Sequence, residues 1–184
     1  YLTVQVRIVS LHGRRLAQQR IPVSAAANAV TTLRALPLQR WLRGRPLVFV
    51  QLRLANRAGR VLSENVYWQS AHSRSLRALD TLRAQPVAVS AQRSDPDTAG
   101  GERHYTVTLT NRGTEPAVAL KVTALDARGH RVLPSYYSTN FLTLMPGEHR
   151  QIRIRCPRQG ARCARVQLQG WNAHGTSVPI EHGH

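Results

Sequence analysis

The chain has 184 residues and a formal net charge of +17, from 26 lysines and arginines against 9 acidic residues. This length allows one or two domains, each large enough to bury a core of its own. The sequence has no apolar run near the roughly 20 residues that span a bilayer, and Tyr1 does not open a signal peptide, so we expect no membrane partner.

The strong positive charge first suggests a nucleic-acid binder. Lys121 is the only lysine, and the arginines are spread over turns and outward strand positions without a dense block or an interleaved aromatic series. We therefore expect no specific nucleic-acid partner. General attraction of polyanions to a solvated basic surface explains the charge equally well, and a non-specific polyanion or nucleic-acid binder remains a third functional alternative.

The N-terminal part of the chain shows the alternation of half-buried strands. Val4, Val6 and Ile8 alternate with polar residues, and Leu47 to Leu54 repeats the pattern. The run Asn56-Arg57-Ala58-Gly59 follows with an Asx residue three positions before glycine, which is typical of a type I turn that closes with a left-handed residue. These signals predict antiparallel strands joined by tight turns.

The middle of the chain contains the predicted domain boundary. Leucines 76, 79 and 82 lie at helical spacing within residues 73–83, which predicts either one or two helical turns or an extended linker packed on its leucines. Pro86 then begins a new strand. We accordingly place one domain at residues 1–83 and a second at 84–184.

The second half repeats the strand-and-turn pattern. Tyr105 to Leu109, Val118 to Val122 and Val166 to Leu168 are predicted strands, while 126–129 and 172–175 repeat the spacing of an Asx residue three positions before glycine. Short strands between glycine turns are typical of β-sandwiches, so the expected fold class is all-β, with two antiparallel β-sandwich domains in tandem.

A turn and a strand follow one another near the end of the second domain. In Leu144-Met145-Pro146-Gly147-Glu148, proline fixes φ and glycine accepts the positive φ of a type II turn. Beyond it, Ile152 and Ile154 alternate with Gln151, Arg153 and Arg155, which predicts a half-buried antiparallel strand.

Three segments give the chain a family resemblance. Gly129, Val132-Leu133-Pro134-Ser135, Tyr137, Asn140-Phe141, Leu144 and Pro146-Gly147-Glu148 match a motif of the C-terminal β-sandwich of glycoside hydrolase family 2, in its β-mannosidase and exo-β-glucosaminidase branch. Ser63-Glu64-Asn65-Val66-Tyr67-Trp68 is similar to the end of the preceding domain in that branch. Gln169-Gly170-Trp171-Asn172 near the C-terminus is the third similar segment.

The resemblance implies two immunoglobulin-like sandwiches that support a catalytic barrel. It implies that the barrel and the N-terminal domains of the same polypeptide are their partners. It implies a retaining glycosidase whose acid and nucleophile are glutamates of that barrel. A seven-stranded sandwich needs about 100 residues. The first domain offers fewer, so we expect it to lack its opening strand or strands in this chain.

No residue of the chain is predicted to be catalytic, to bind a cofactor or to bind a metal. Retaining hydrolysis needs two carboxyl groups about 5 to 5.5 Å apart. Asp95 and Asp97 flank a proline, whereas Glu115, Asp126 and Glu148 belong to turns or loops. The terminal run Glu181-His182-Gly183-His184 could chelate a metal weakly, but a frayed terminus explains it better.

Two cysteines flank a turn-like stretch of six residues. Cys156 and Cys163 could face each other across a hairpin, and a disulfide there would contribute about 2.5 kcal/mol and would suit a periplasmic or secreted protein. Two unpaired thiols are the alternative.

Aromatic side chains are the candidates for sugar contacts, because sugar rings stack on exposed aromatic faces. Core packing or contacts between domains are the alternative use of the same residues. The candidates are Trp41, Tyr67, Trp68, Tyr136, Tyr137 and Trp171.

The sequence thus favours a non-catalytic region of a family 2 glycosidase, with a carbohydrate-binding module as the alternative. Together with the cysteine pair, it predicts a periplasmic or secreted location.

Overall fold

A computed structural model describes residues 1–94 and 101–181 of the chain. Two compact units make up the chain, Tyr1–Leu82 and Arg83–His184. Strands dominate both units, so the predicted all-β fold class is confirmed. The acidic residues Asp95 and Asp97 and the terminal His182 and His184 lie outside the described residues.

The first unit is built on one antiparallel sheet of four strands, in the spatial order β2-β1-β3-β4. A short helix, α1, precedes the third strand. The elements are β1 (Leu2–Ser10), β2 (Arg15–Val23), α1 (Leu38–Leu42), β3 (Leu47–Asn56) and β4 (Val61–Ser70). It stays a prediction that this unit lacks the opening strand or strands of a complete sandwich.

One face of this sheet carries the apolar residues that the alternation predicted. Val6 and Ile8 of β1 pack with Val48 and Val50 of β3, and Leu42 of α1 covers them. Successive side chains of a strand point to opposite faces, so each apolar residue at every second position lands on the same side. The two predicted strands are confirmed.

The opposite face of the sheet contains an ion pair between neighbouring strands. Arg53 and Glu64 are directly paired across β3 and β4, and the guanidinium binds the carboxylate with two bonds of 3.0 and 3.1 Å. Nε2 of Gln51, a residue that is 2% exposed, donates to the same carboxylate at 2.8 Å. Bidentate geometry of this kind fixes the register of two strands as well as their charge balance.

Residues Ser73–Thr81 form a 3₁₀ helix. Leu79 within the helix and Leu82 just after it are buried, and Leu76 is 39% exposed. Of the two alternatives for this segment, helical turns are therefore confirmed.

The second unit is a sandwich of two antiparallel sheets, with strand orders β5-β6-β10-β8 and β12-β11-β7-β9. Its strands are β5 (Val87–Arg93), β6 (Glu102–Asn111), β7 (Ala117–Leu125), β8 (Tyr136–Tyr137), β9 (Leu142–Leu144), β10 (His149–Pro157), β11 (Arg165–Gln169) and β12 (Thr176–Pro179).

A single apolar core fills the space between the two sheets of the second unit. Val107 and Ile152 from one sheet meet Val122 and Leu168 from the other, and all four are at most 1% exposed. The charged residues of β10 point outward, as its alternation predicted. Burial of such side chains contributes about 1.5 to 3 kcal/mol each.

The turn predictions had different outcomes. Gly59, Gly129 and Gly147 have φ of +78°, +85° and +75°, so these three positions need the left-handed conformation that glycine adopts without strain. The N–H of Glu148 donates to the carbonyl of Met145 at 3.0 Å and closes the predicted Pro-Gly turn. Gly175 is not in the left-handed region, so the turn predicted at 172–175 is wrong.

The turn prediction was wrong because the side chain of Asn172 makes hydrogen bonds to other parts of the chain. This residue is 6% exposed. Its amide donates to the carbonyls of Arg83 (3.0 Å) and Pro116 (2.9 Å), and its Oδ1 accepts the N–H of Val118 at 2.8 Å. The side chain thus satisfies buried backbone groups at the end of the sandwich instead of its own turn.

The segment that carries the main family motif joins the two sheets. Tyr137 pairs with Ile154 in one sheet, while its hydroxyl oxygen accepts the N–H of Ala124 from the other at 2.9 Å. Asn140 holds both backbone groups of Val122, accepting at 2.8 Å and donating at 2.9 Å. These motif residues therefore maintain the sandwich.

Across residues 1–94 and 101–181 the model contains no helix with the length and apolarity needed to cross a membrane.

Candidate functional site

Tyr136 is the most accessible of the tyrosines predicted to contact sugar. It lies on β8, is 53% exposed, and borders a cavity of about 470 Å³. The guanidinium carbon of Arg155 stands 5.6 Å from the centre of its ring, a cation–π distance. The cavity is also lined by His104, Tyr137, Ser138 and Arg153.

Tyr137 has a different role from its neighbour. Its hydroxyl is used by the backbone of Ala124, as described above, and burial raises its pKa. The phenol is therefore neutral at physiological pH and serves as a fixed hydrogen-bonding group. Only one member of the Tyr136-Tyr137 pair offers a ring face to solvent.

The other aromatic candidates are not brought together. Tyr67 and Trp68 are consecutive in β4, where they pair with Val50 and Phe49, so their side chains lie on opposite faces of the sheet. Tyr67 is 46% exposed and Trp68 is half-buried. Trp171 is 57% exposed in the second unit. The pair at β4 therefore cannot form one continuous sugar platform.

Trp41 packs against the apolar core of the first unit. Core packing, the alternative considered for the aromatic residues, is what the structure shows at this position.

Several carboxylates in the described ranges accept hydrogen bonds from backbone N–H groups. Glu148 accepts from the backbone of Met145 at 3.1 Å, and Glu115 accepts from that of Arg83 at 2.9 Å. Hydrogen bonds from the backbone N–H groups of His130 and Arg128 lower the pKa of Asp126. A carboxyl with a lowered pKa stays ionised at neutral pH, which is unsuited to the general acid of a retaining glycosidase.

Within residues 1–94 and 101–181 there is no group of three or more His, Cys, Asp or Glu that could hold an ion.

The two cysteines of the chain lie side by side in the second unit. Cys156 and Cys163 are 0% and 4% exposed, and their Sγ atoms lie 2.8 Å apart. The hydrogen bond from Cys163, supported by Ser135, lowers the pKa of Cys156 to about 7, whereas the same contact and burial raise the pKa of Cys163. The reduced pair therefore shares one proton over a wide pH range.

Sequence reasoning missed a basic cavity of about 440 Å³ in the second unit. Four of the residues that line it are arginines: Arg93, Arg103, Arg128 and Arg162. They come from four separate places in the chain, so no local motif marks them. Their only common sequence feature is that each lies at or near the end of a predicted strand or within a turn.

Comparison with known proteins finds similarity along nearly the whole chain. A sequence-family profile described as the exo-beta-D-glucosaminidase Ig-fold domain matches residues 65–173, and one described as the mannosidase Ig/CBM-like domain matches residues 1–71. The chain is 26% identical over 198 residues to an exo-beta-D-glucosaminidase of Hypocrea jecorina. It is also 26% identical over 199 residues to one of Streptomyces avermitilis.

Those alignments cover 96% and 97% of this chain but 22% of each relative, so the chain spans about a fifth of their length. The crystal structure of Amycolatopsis orientalis exo-chitosanase CsxA superposes with a TM-score of 0.74 at 21% identity, over 97% of this chain and 23% of that one. A complex of CsxA with PNP-beta-D-glucosamine gives a TM-score of 0.76 at 23% identity. At such identities the structural likeness shows the fold.

Three observations agree on the family of the chain. They are the fold, the motif segment that joins the two sheets and the profile matches. The two relatives described above are exo-beta-D-glucosaminidases, and the comparisons do not show a β-mannosidase. The chain belongs to the family of the exo-beta-D-glucosaminidase Ig-fold domain, as an immunoglobulin-like C-terminal region of the glycoside hydrolase family 2 type.

Proposed function

We propose that this chain is the supporting region of an exo-β-D-glucosaminidase whose acid and nucleophile lie elsewhere in the polypeptide. The observation that carries the proposal is the family match over residues 65–173. It is supported by the carboxylates, because those with described contacts hold turns, loops or an arginine. The expected partners are the catalytic barrel and the N-terminal domains of the same protein.

The activity of the chain by itself tests this proposal. The 184-residue chain would be incubated with p-nitrophenyl β-D-glucosaminide and, separately, with the β-mannoside, after its folding is verified by NMR dispersion. We expect release of p-nitrophenol at the rate of buffer alone. Saturable turnover of either glycoside by the folded chain would contradict a purely supporting role.

The supporting role can also be tested in the longer enzyme. Asn172→Ala should lower the midpoint of thermal inactivation, because it removes buried hydrogen bonds of the second unit, but should leave the KM for p-nitrophenyl β-D-glucosaminide unchanged. Gln151→Ala, at an exposed position of β10, is the matched control. A changed KM at unchanged thermal stability would instead place the second unit in substrate binding.

A carbohydrate contact at Tyr136 is a second candidate function. The specific observation is the exposed ring beside a cavity of about 470 Å³. Arg155 stands over that ring, so a sugar would have to use the other face or displace the guanidinium. The net charge of +17 disfavours cationic glucosamine oligomers and leaves neutral oligosaccharides as the better ligands.

Titration followed by calorimetry separates these ligands. Manno-oligosaccharides, N-acetylated chito-oligosaccharides and chitosan oligosaccharides would be added to the chain, to Tyr136→Ala, and to Tyr1→Ala as a control at a residue that is 93% exposed. Saturable binding lost only in Tyr136→Ala supports the site. Absence of binding, or equal binding by all three proteins, contradicts it.

A periplasmic or secreted location is proposed on the strength of the cysteine pair. Disulfides persist in oxidising compartments. Protein isolated from its host under acid quench, then denatured and alkylated, should carry no label at Cys156 and Cys163. Full labelling of both residues would count against this location.

A further inference from the structure

The basic cavity of the second unit is formed where the ends of the two sheets meet. Arg93 ends β5 and Arg103 lies near the start of β6 in one sheet, whereas Arg128 follows β7 and Arg162 precedes β11 in the other. The residues 126–128 and 161–164 form the loop walls of the cavity. The four cations are thus gathered by the tertiary fold alone.

The one carboxylate among the residues that line the cavity, Asp126, offsets only part of this charge. Oδ1 of Asp126 accepts the N–H groups of Arg128 and His130 at 2.8 and 2.9 Å. Its second oxygen lies 3.7 Å from Nδ1 of His130. Among the described residues that line the cavity, four arginines therefore stand beside one carboxylate, which also holds its own turn.

Part of the cavity is held in place before any ligand arrives. The guanidinium of Arg103 donates to the backbone carbonyls of Pro157 and Arg158, which fixes its position. Tyr105, which is 4% exposed, and the buried Cys163 also line the cavity. Arg128 and Arg162 are exposed and can close onto a bound group.

We propose that this cavity is a binding site for a small organic molecule that carries a phosphate or sulfate group. Guanidinium groups bind tetrahedral oxyanions through paired, charge-assisted hydrogen bonds, and several arginines around one cavity are typical of such recognition. The volume of about 440 Å³ lies in the range of roughly 300 to 1,000 Å³ found for small-molecule sites. It leaves room for an organic body beyond the oxyanion.

Binding would be measured by calorimetry with four probes: inorganic phosphate, inorganic sulfate, glucose 6-phosphate and glucose. The proposal predicts saturable binding of the oxyanions, tightest for glucose 6-phosphate, and no binding of glucose. Inorganic phosphate binding as tightly as the ester would overturn the organic part of the proposal and identify a site for the free ion. Absence of saturable binding by all oxyanions would overturn the whole.

Two double variants locate the site. Arg128→Gln with Arg162→Gln removes two lining cations from exposed positions and should weaken glucose 6-phosphate binding by at least roughly 10-fold. Arg14→Gln with Arg57→Gln removes the same charge from exposed turns of the first unit. This control should change the affinity less than about 2-fold. Equal losses in both variants would assign the binding to net charge and overturn the site. Addition of glucose 6-phosphate should shift the NMR resonances of the residues that line the cavity.

Discussion

The side chain of Asn172 forms a network of buried hydrogen bonds where the sequence predicted a turn. It serves three backbone groups at once, and it is buried, so water cannot take its place. We predict that Asn172→Ala lowers the free energy of unfolding by about 3 kcal/mol, since each unsatisfied buried group costs about 1 to 3 kcal/mol. Urea denaturation against Gln151→Ala measures it. A loss no larger than that of the control would show that the network is dispensable.

Glycines 147 and 175 provide a matched pair. A Cβ at Gly147 would meet nothing within 4 Å, but its φ of +75° strains any other residue, so Gly147→Ala should cost about 1 to 2 kcal/mol. Gly175 lies outside the left-handed region and its nearest neighbour is the carbonyl oxygen of Leu168 at 3.8 Å. Gly175→Ala should therefore stay within about 0.5 kcal/mol. Thermal denaturation of both variants measures the two losses of stability. A larger loss in Gly175→Ala than in Gly147→Ala would show that backbone strain is not the cause.

The two glycines also show what a sequence can and cannot specify at the residue scale. Both follow a spacing typical of turns, and the Pro-Gly turn before β10 was predicted correctly because proline and glycine restrict the backbone locally. At 172–175 the signal was an Asx residue three positions before glycine, and it was overridden by tertiary structure, since the amide of Asn172 satisfies groups far away in sequence. No local pattern contains that information.

The loop between β10 and β11 is the element on which the cysteine chemistry depends. We predict that the oxidised chain contains a Cys156–Cys163 disulfide and is more stable than the reduced chain by about 2.5 kcal/mol, the chain-entropy value for so short a loop. Chemical denaturation with and without dithiothreitol measures the difference. Equal stabilities, or two thiols that react after air oxidation, would contradict the disulfide.

The reduced form of the same loop has its own expected behaviour. The pKa of Cys156 is lowered to about 7 mainly by the hydrogen bond from Cys163, so its thiolate should form as the pH rises through 7. Cys163→Ala removes that donor, and the titration should move up toward the ordinary value of 9.0. The Cβ chemical shift of labelled Cys156 follows the titration. An unchanged midpoint in the variant would exclude Cys163 as the cause.

At the element scale, strands were the best predicted feature. Alternation in β1, β3, β6 and β10 reports directly which face is buried, because the side-chain period of a strand is two residues. The basic cavity could not be predicted, since its arginines come from the ends of different strands and meet only after two sheets have packed. The sequence therefore indicated solvated arginines where the structure shows a gathered group.

At the scale of the whole molecule, the two units differ in what closes their cores. The first has a single sheet, and α1 and its flanking residues cover the face that carries Val48 and Val50. Leu47 and Phe49 on the other face are also buried. The second has two sheets that enclose a continuous core from Ala91 to Ile180. A core enclosed on both sides by its own sheets is what an autonomously folding domain requires.

We predict that residues 83–184 expressed alone fold and unfold cooperatively. The variant Leu168→Ala, at a side chain that is 0% exposed, should lower the free energy of unfolding of this piece by about 2 to 5 kcal/mol, because it leaves a cavity between the sheets. Leu133→Ala is the control, since that leucine is 78% exposed and should change stability by less than about 0.5 kcal/mol. Amide dispersion in NMR spectra and urea denaturation supply the measurements. A piece that binds hydrophobic dyes and lacks dispersed resonances would show instead that the second unit depends on the rest of the polypeptide for its folding.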